Sequence, residues 1–149
     1  MSSIIVATTA HTIGYQGITI DRFIAKLREE GIDTIIDVRA NPVSRKPGFS
    51  KSALIDRLTR EGIAYNHFPE LGISSHYRNK IRNHNDLFLI YETDILPNHP
   101  EKVSQVADLC REGRAALLCF EANPAECHRS RLAKHISGLH DTKFRHIRF

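Results

Sequence analysis

Short apolar runs alternate along this chain with stretches of helical periodicity, and that alternation constrains its fold more than any other feature. The first run ends near Thr12-Ile13-Gly14-Tyr15 and is expected to begin as early as Ile4. Thr19 then suits a helix N-cap, Phe23, Ile24 and Leu27 form one apolar stripe, and Gly31 stands just past its end. Thr34-Ile35-Ile36-Asp37-Val38 reads as a short buried strand that stops at Arg39. A turn-rich loop over 40–49 carries Pro42, Pro47 and Gly48. Ser50 is placed to cap a helix in which Leu54 and Leu58 share a face before Gly62. Residues 63–68 predict a third strand, 72–86 a polar loop and 87–96 a helix. Pro100 opens another helix, with Val103, Val106, Ala107 and Cys110 on one face and Gly113 after its end. Residues 115–120 form a continuous apolar strand, Asn123-Pro124-Ala125-Glu126 opens a last helix reaching about Ser137, and 143–149 supply a final strand.

Strands separated by helices return parallel to one another, and a parallel sheet needs both faces covered. The expectation is a single α/β domain over residues 1–149, with three layers (α/β/α) around a mainly parallel sheet of about five strands. Apolar residues at 41% and charged residues at 26% exclude a chain that is disordered throughout. Three cysteines, an odd number, do not make a disulfide framework. The apolar run 4–7 is too short for a signal peptide, and no stretch approaches the roughly 20 apolar residues of a membrane helix. A cytoplasmic protein with no membrane partner is expected. The net charge of +4 favours an anionic partner, either a small molecule or nucleic acid, although the same charge also serves solubility.

Two segments carry residues suited to chemistry. Asp37 and Arg39 fall at the carboxyl end of a predicted strand, where parallel sheets bind their ligands. The Arg39 fork matches a carboxylate or phosphate, and Asp37 can orient it or act as a base. The competing reading is a structural pair that ties the following loop to the sheet. The second segment is Leu118-Cys119-Phe120-Glu121-Ala122-Asn123-Pro124-Ala125-Glu126-Cys127-His128-Arg129. A helix N-terminus after a buried strand seats anions, and Arg129 and Arg131 add positive charge. Cys127 there is a candidate nucleophile with a lowered pKa, and His128 a candidate proton shuttle. The alternative is that Cys127 packs as a small hydrophobe and His128 is solvated. Glu121, just past an apolar strand, needs a partner, and Arg39 or Arg129 is the expected one.

Cys110 and Cys119 read as core residues. Nine histidines raise the question of a metal, but Cys119, Cys127 and His128 match no usual zinc spacing. Neither a metal nor another cofactor is expected. A third segment, 76–84, interleaves cations with Tyr77. Arg78, Lys80 and Arg82 suit a nucleic-acid backbone, and a lid or a solvated surface would look the same.

Several motifs together resemble a known family. Thr12-Ile13-Gly14-Tyr15-Gln16-Gly17, Ile36-Asp37-Val38-Arg39 with Pro42, Ser44 and Arg45, and Gly48-Phe49-Ser50-Lys51 are similar to the domain of unknown function DUF488. So are the stretch 65–72 ending in Leu71-Gly72 and the late Cys127-His128-Arg129. The resemblance spans nearly the whole chain. It implies a compact α/β domain and draws attention to Asp37, Arg39, Glu121, Cys127, His128 and Arg129, but it supplies no reaction. Tyr15, Ser44 and Arg45 lie in its motifs and join Arg39 and Arg129 as candidates for holding an anion. The 76–84 stretch lies outside them. The Asp-Val-Arg strand is also faintly similar to one in rhodanese sulfurtransferases, yet neither Cys119 nor Cys127 opens the Gly-containing loop that such enzymes use. A cysteine phosphatase needs Arg six positions after its Cys, where this chain has Ala125 and Ala133. The leading expectation is a small enzyme acting on a phosphate-bearing or nucleotide-like substrate at a cationic site. The alternatives are a non-catalytic nucleic-acid-binding module, a thiol or redox protein using Cys127, and a structural partner-binding protein.

Overall fold

The computed structural model describes residues 8–139 and 141–149; residues 4–7, the earliest part expected of the first strand, lie outside them. Five strands form one sheet: β1 (Thr8–Gly14), β2 (Thr34–Asp37), β3 (Ala64–His67), β4 (Ala115–Cys119) and β5 (Thr142–His146). Their spatial order is β3-β2-β4-β1-β5, and each neighbouring pair is parallel. The helices are α1 (Ile20–Glu29), α2 (Lys51–Arg60), α3 (Ser75–Lys80), α4 (His84–Ile90), α5 (Pro100–Glu112) and α6 (His128–Leu139). The expected α/β architecture, with a parallel five-stranded sheet, is what the chain adopts.

Side-chain alternation along the strands divides the core in two. Ile13, Ile35 and Leu118 pack against Phe23, Ile24 and Leu27 of α1 and Leu54 and Leu58 of α2. Their neighbours Ile36 and Leu117, together with Val38, turn to the other face against Leu87 and Phe88 of α4, Val106 of α5 and Leu132 of α6. Coverage on both sides explains why all of β4 is buried. The chain leaves β2 outward towards β3, whereas it leaves β4 in the opposite direction, past β1 to β5. Adjacent strands whose connections diverge open a crevice at their carboxyl ends. Register brings these ends level, because Asp37 lies opposite Leu118 and Gly14 opposite Cys119.

Local chemistry accounts for most boundaries. Thr19 caps α1 by accepting from the Arg22 amide at 3.2 Å. Ser50 occupies the N-cap of α2, but its hydroxyl serves the loop instead, donating to the Ser44 carbonyl and accepting from the Ser44 amide, both at 2.9 Å. Part of the stretch 72–86, expected as loop, is α3, which buries none of its residues and so carries no apolar stripe to read. The helix expected at 87–96 begins earlier, at His84. It then loosens into a π-turn (Tyr91–Ile95) and a 3-10 turn (Leu96–Asn98) that contains Pro97. The last helix starts later than expected. Asn123 caps only a 3-10 turn (Pro124–Glu126), accepting from the Ala125 amide at 3.0 Å, and Cys127 is extended before α6 begins. An Asn-Pro start suits a single tight turn as well as a helix, so the sequence did not distinguish them.

Candidate functional site

Asp37 ends β2, and both its oxygens are used. Oδ1 accepts from the Arg39 amide at 3.1 Å and from Arg39 Nε at 2.9 Å. Oδ2 accepts from Arg39 Nη2 at 2.7 Å and from the Tyr65 hydroxyl at 2.5 Å. Arg39 Nη1 donates to the Tyr15 hydroxyl at 3.1 Å and to the Phe49 carbonyl at 2.7 Å. Burial alone would lower the Arg39 pKa, but the hydrogen bonds and charge of Asp37 raise it above the ordinary guanidinium value. Burial first, and then the bond to Asp37, raises that of Tyr65. Asp37 is fully buried and Arg39 nearly so. Tyr15 stacks on Phe49 with centroids 4.3 Å apart, fixing the far side of the clamp. The expected roles change accordingly. Asp37 is saturated by donors and so placed to position Arg39, and Arg39 spends four of its five N–H groups within the protein.

The end of β4 forms the neighbouring floor. Alternation directs Cys119 and Glu121 to the same side, and Cys119 Sγ donates to Glu121 Oε2 at 3.4 Å. His128, the first residue of α6, places Nδ1 3.7 Å from Cys119 Sγ and 3.9 Å from Cys127 Sγ. Its Nε2 lies 2.8 Å from the Val38 carbonyl, an acceptor only, so Nε2 carries the proton. Although burial opposes it, the Glu121 pKa is held below the ordinary range by its own backbone N–H and by the thiols of Cys127 and Cys119. Burial, and then Cys119, pushes the Cys127 thiol well up. An activated nucleophile requires the reverse, so this environment disfavours the expected thiolate at Cys127. Burial also disfavours a charged His128, yet Cys127 and the Val38 carbonyl raise its pKa on balance.

Arg129 departs most from expectation. It is fully buried and donates through Nη1 to the Glu121 carbonyl and through Nη2 to the Ala122 carbonyl at 3.4 Å, while its Nε has no partner among the described residues. It thus holds the loop after β4 by its backbone instead of pairing with the Glu121 carboxylate. A side chain at Gly14 would collide with that same Glu121 carbonyl, so glycine is required where β1 meets the loop.

Between these groups lies a cavity of about 540 Å³, within the size range of small-molecule sites. Arg39, Arg45 and Arg78 line it together with Cys119, Glu121 and His128. Tyr15, Ser44, Ile73, Ser74 and Phe120 complete much of the wall. Arg45 is exposed and makes no hydrogen bond or ion pair with any described residue, whereas Arg78 holds the Ile73 carbonyl through Nε at 3.1 Å. The two segments expected to meet therefore do meet, through Arg39, Glu121 and His128 with Cys119 added, whereas Cys127 and Arg129 do not line the cavity. Arg78 also belongs to it, while Lys80 and Arg82 do not. Sequence reading missed Cys119 because a cysteine in an apolar run resembles core; its position two residues before Glu121, on the same strand face, was the available signal. Arg78 arrives because Gly72 packs against the backbone of Ala40, an approach that any β-carbon would block. Among the described residues, no helix is long and apolar enough to cross a membrane.

A family model described as "Domain of unknown function DUF488" matches residues 19–136. No curated protein and no solved structure matches the chain.

Proposed function

This chain belongs to the DUF488 family, and from that premise we propose that it is a small enzyme acting on a phosphate-bearing or nucleotide-like substrate. One observation carries the reading: a single cavity at the carboxyl edge of the sheet has guanidinium groups on its wall and a carboxylate, a thiol and an imidazole at its floor. Arg45 and Arg78 hold the anion, since the other lining guanidinium, Arg39, is largely spent on Asp37, Tyr15 and Phe49. Glu121, whose carboxylate lines the cavity beside Cys119, is the general base. Phe120, 44% exposed on the cavity wall, offers a face for a planar base.

Thermal unfolding against a panel of nucleoside phosphates and sugar phosphates tests the proposal. A ligand present at a hundred times its Kd adds ~2.7 kcal/mol to stability, which reads as a rise of several degrees in Tm. Arg45→Ala and Arg78→Ala should each remove most of that rise while leaving the unliganded Tm nearly unchanged. A wild-type protein that no member of the panel stabilises would overturn the reading.

A second reading rests on Arg78, Lys80 and Arg82, exposed cations with no carboxylate partner among the described residues. They fit a non-catalytic nucleic-acid surface, whose affinity would fall steeply with salt and would vanish when all three are neutralised.

A further inference from the structure

The floor of the cavity has a property that an anion-binding site does not need. Cys119 Sγ, Cys127 Sγ and His128 Nδ1 all lie within 4.8 Å of one another. Each of the three residues is at most 2% exposed. We propose that Cys119, Cys127 and His128 bind one thiophilic divalent ion of the zinc class, with the fourth coordination position facing the cavity beside Glu121.

The geometry fits. Tetrahedral zinc, with bonds of about 2.3 Å to sulfur and about 2.0 Å to nitrogen, separates a sulfur from a nitrogen ligand by about 3.5 Å. His128 Nδ1 stands 3.7 Å from one sulfur and 3.9 Å from the other, and the two sulfurs lie within 4.8 Å of each other, so side-chain rotation without backbone movement brings the donors towards one centre. The tautomer is already correct. The Val38 carbonyl fixes the proton on Nε2 and leaves Nδ1, which is 3.7 Å from Cys119 Sγ against 3.9 Å for Nε2, as the nitrogen free to ligate once the ring turns towards the sulfurs, and an outer hydrogen bond of this kind orients metal-bound histidines. Two sulfurs and an imidazole select zinc or a similarly soft ion over magnesium or calcium. Binding displaces the two thiol protons to solvent, and two thiolates then neutralise a divalent ion, so the buried centre carries no net charge.

Two of the three donors line the cavity, as does Glu121, which places the open position on the substrate side. Three protein ligands and one exchangeable position characterise catalytic zinc sites, whereas structural sites are closed by four. Cys119-x7-Cys127-His128 matches no common spacing because the ligands come from a strand end and from the extended residue and first turn of a helix. The metal site does not depend on the identity of the anion held by Arg45 and Arg78.

Cobalt(II) titration of the full chain, freed of metal by a chelator and kept reduced, gives the test. The expected result is one ion bound per chain with release of about two protons, a thiolate-to-cobalt charge-transfer band, visible bands of tetrahedral intensity, and displacement of the cobalt by zinc with no further proton release. Cys119→Ser and Cys127→Ser should each lose the charge-transfer intensity of one thiolate, and His128→Ala should weaken binding. Cys110→Ser, buried in the helical core at Cys110, should change nothing. Arg45→Ala and Arg78→Ala should bind cobalt like the wild type, which separates failure of this inference from failure of the anion reading. Should either cysteine variant misfold, the wild-type spectrum and proton release still decide. Absence of the charge-transfer band in the wild type, or its persistence unchanged without Cys119 and Cys127, refutes the site.

Discussion

Replacing Asp37 with asparagine removes one charge and almost no volume, and the structure sets the size of the effect. The carboxylate accepts from four donors, three on Arg39 and one on Tyr65. An asparagine keeps one oxygen; its amide would face two donors with donors of its own. The Arg39 guanidinium, only 6% exposed, would also lose its counter-ion. Breaking a buried pair from one side costs ~3–5 kcal/mol, because the remaining charge stays desolvated. For a chain of this length that corresponds to a fall in Tm of roughly 10 °C. Urea unfolding should show a lower midpoint with an unchanged m-value. Asp37→Asn with Arg39→Met should be less destabilised than Asp37→Asn alone, because no charge is then left behind. A single variant whose Tm stays within about 2 °C of the wild type would refute the reasoning. It would mean that Arg39 is not held by Asp37 and remains free to bind substrate.

Gly72→Ala should cost ~1–3 kcal/mol by forcing the 69–74 segment off Ala40. Because that segment delivers Arg78 to the cavity, the variant should also lose ligand stabilisation in the same thermal assay. His11 supplies a pH signature. Burial foremost, then Arg145 and Arg114, lowers its pKa, against the opposing effects of Glu30 and the Ala115 backbone. The unfolded chain therefore takes up a proton more readily below about pH 6.5, and stability falls as the pH drops through that value towards the folded pKa. His11→Gln should make the decline in Tm between pH 7.5 and 5.5 shallower, and an identical decline in both proteins would show that His11 is not its source.

The layered fold is legible in the sequence because its determinants are local. Thr19 before the stripe Phe23, Ile24, Leu27 specifies a capped helix wherever it is placed, and the apolar runs expected at 34–38 and 115–120 supply β2 (Thr34–Asp37) and the fully buried β4 (Ala115–Cys119), with Phe120 emerging just beyond β4. The proximity of Asp37 and Arg39 is also local, since the residues lie two apart at a strand end. What Arg39 does with its remaining donors is not. Tyr15 and Phe49 reach it from other parts of the chain, and they turn an apparent anion ligand into a buried clamp. The same limit applies to α3, which has no fully buried residue, leans on the core only through half-buried Tyr77, and follows the close approach of Gly72 to Ala40.

From the sequence alone, then, came the alternation of strands and helices and the residues that crowd the sheet's carboxyl edge. Only the tertiary structure decided that β2 lies beside β4, that Cys119 and not Arg129 faces the cavity, and that α6 begins one residue after an extended Cys127. The physical reason is range. Periodicity and capping act over a turn or a pleat, whereas the partner of a buried polar group is chosen by packing between distant segments, 90 residues apart for His128 and Val38 and 134 for Thr12 and His146.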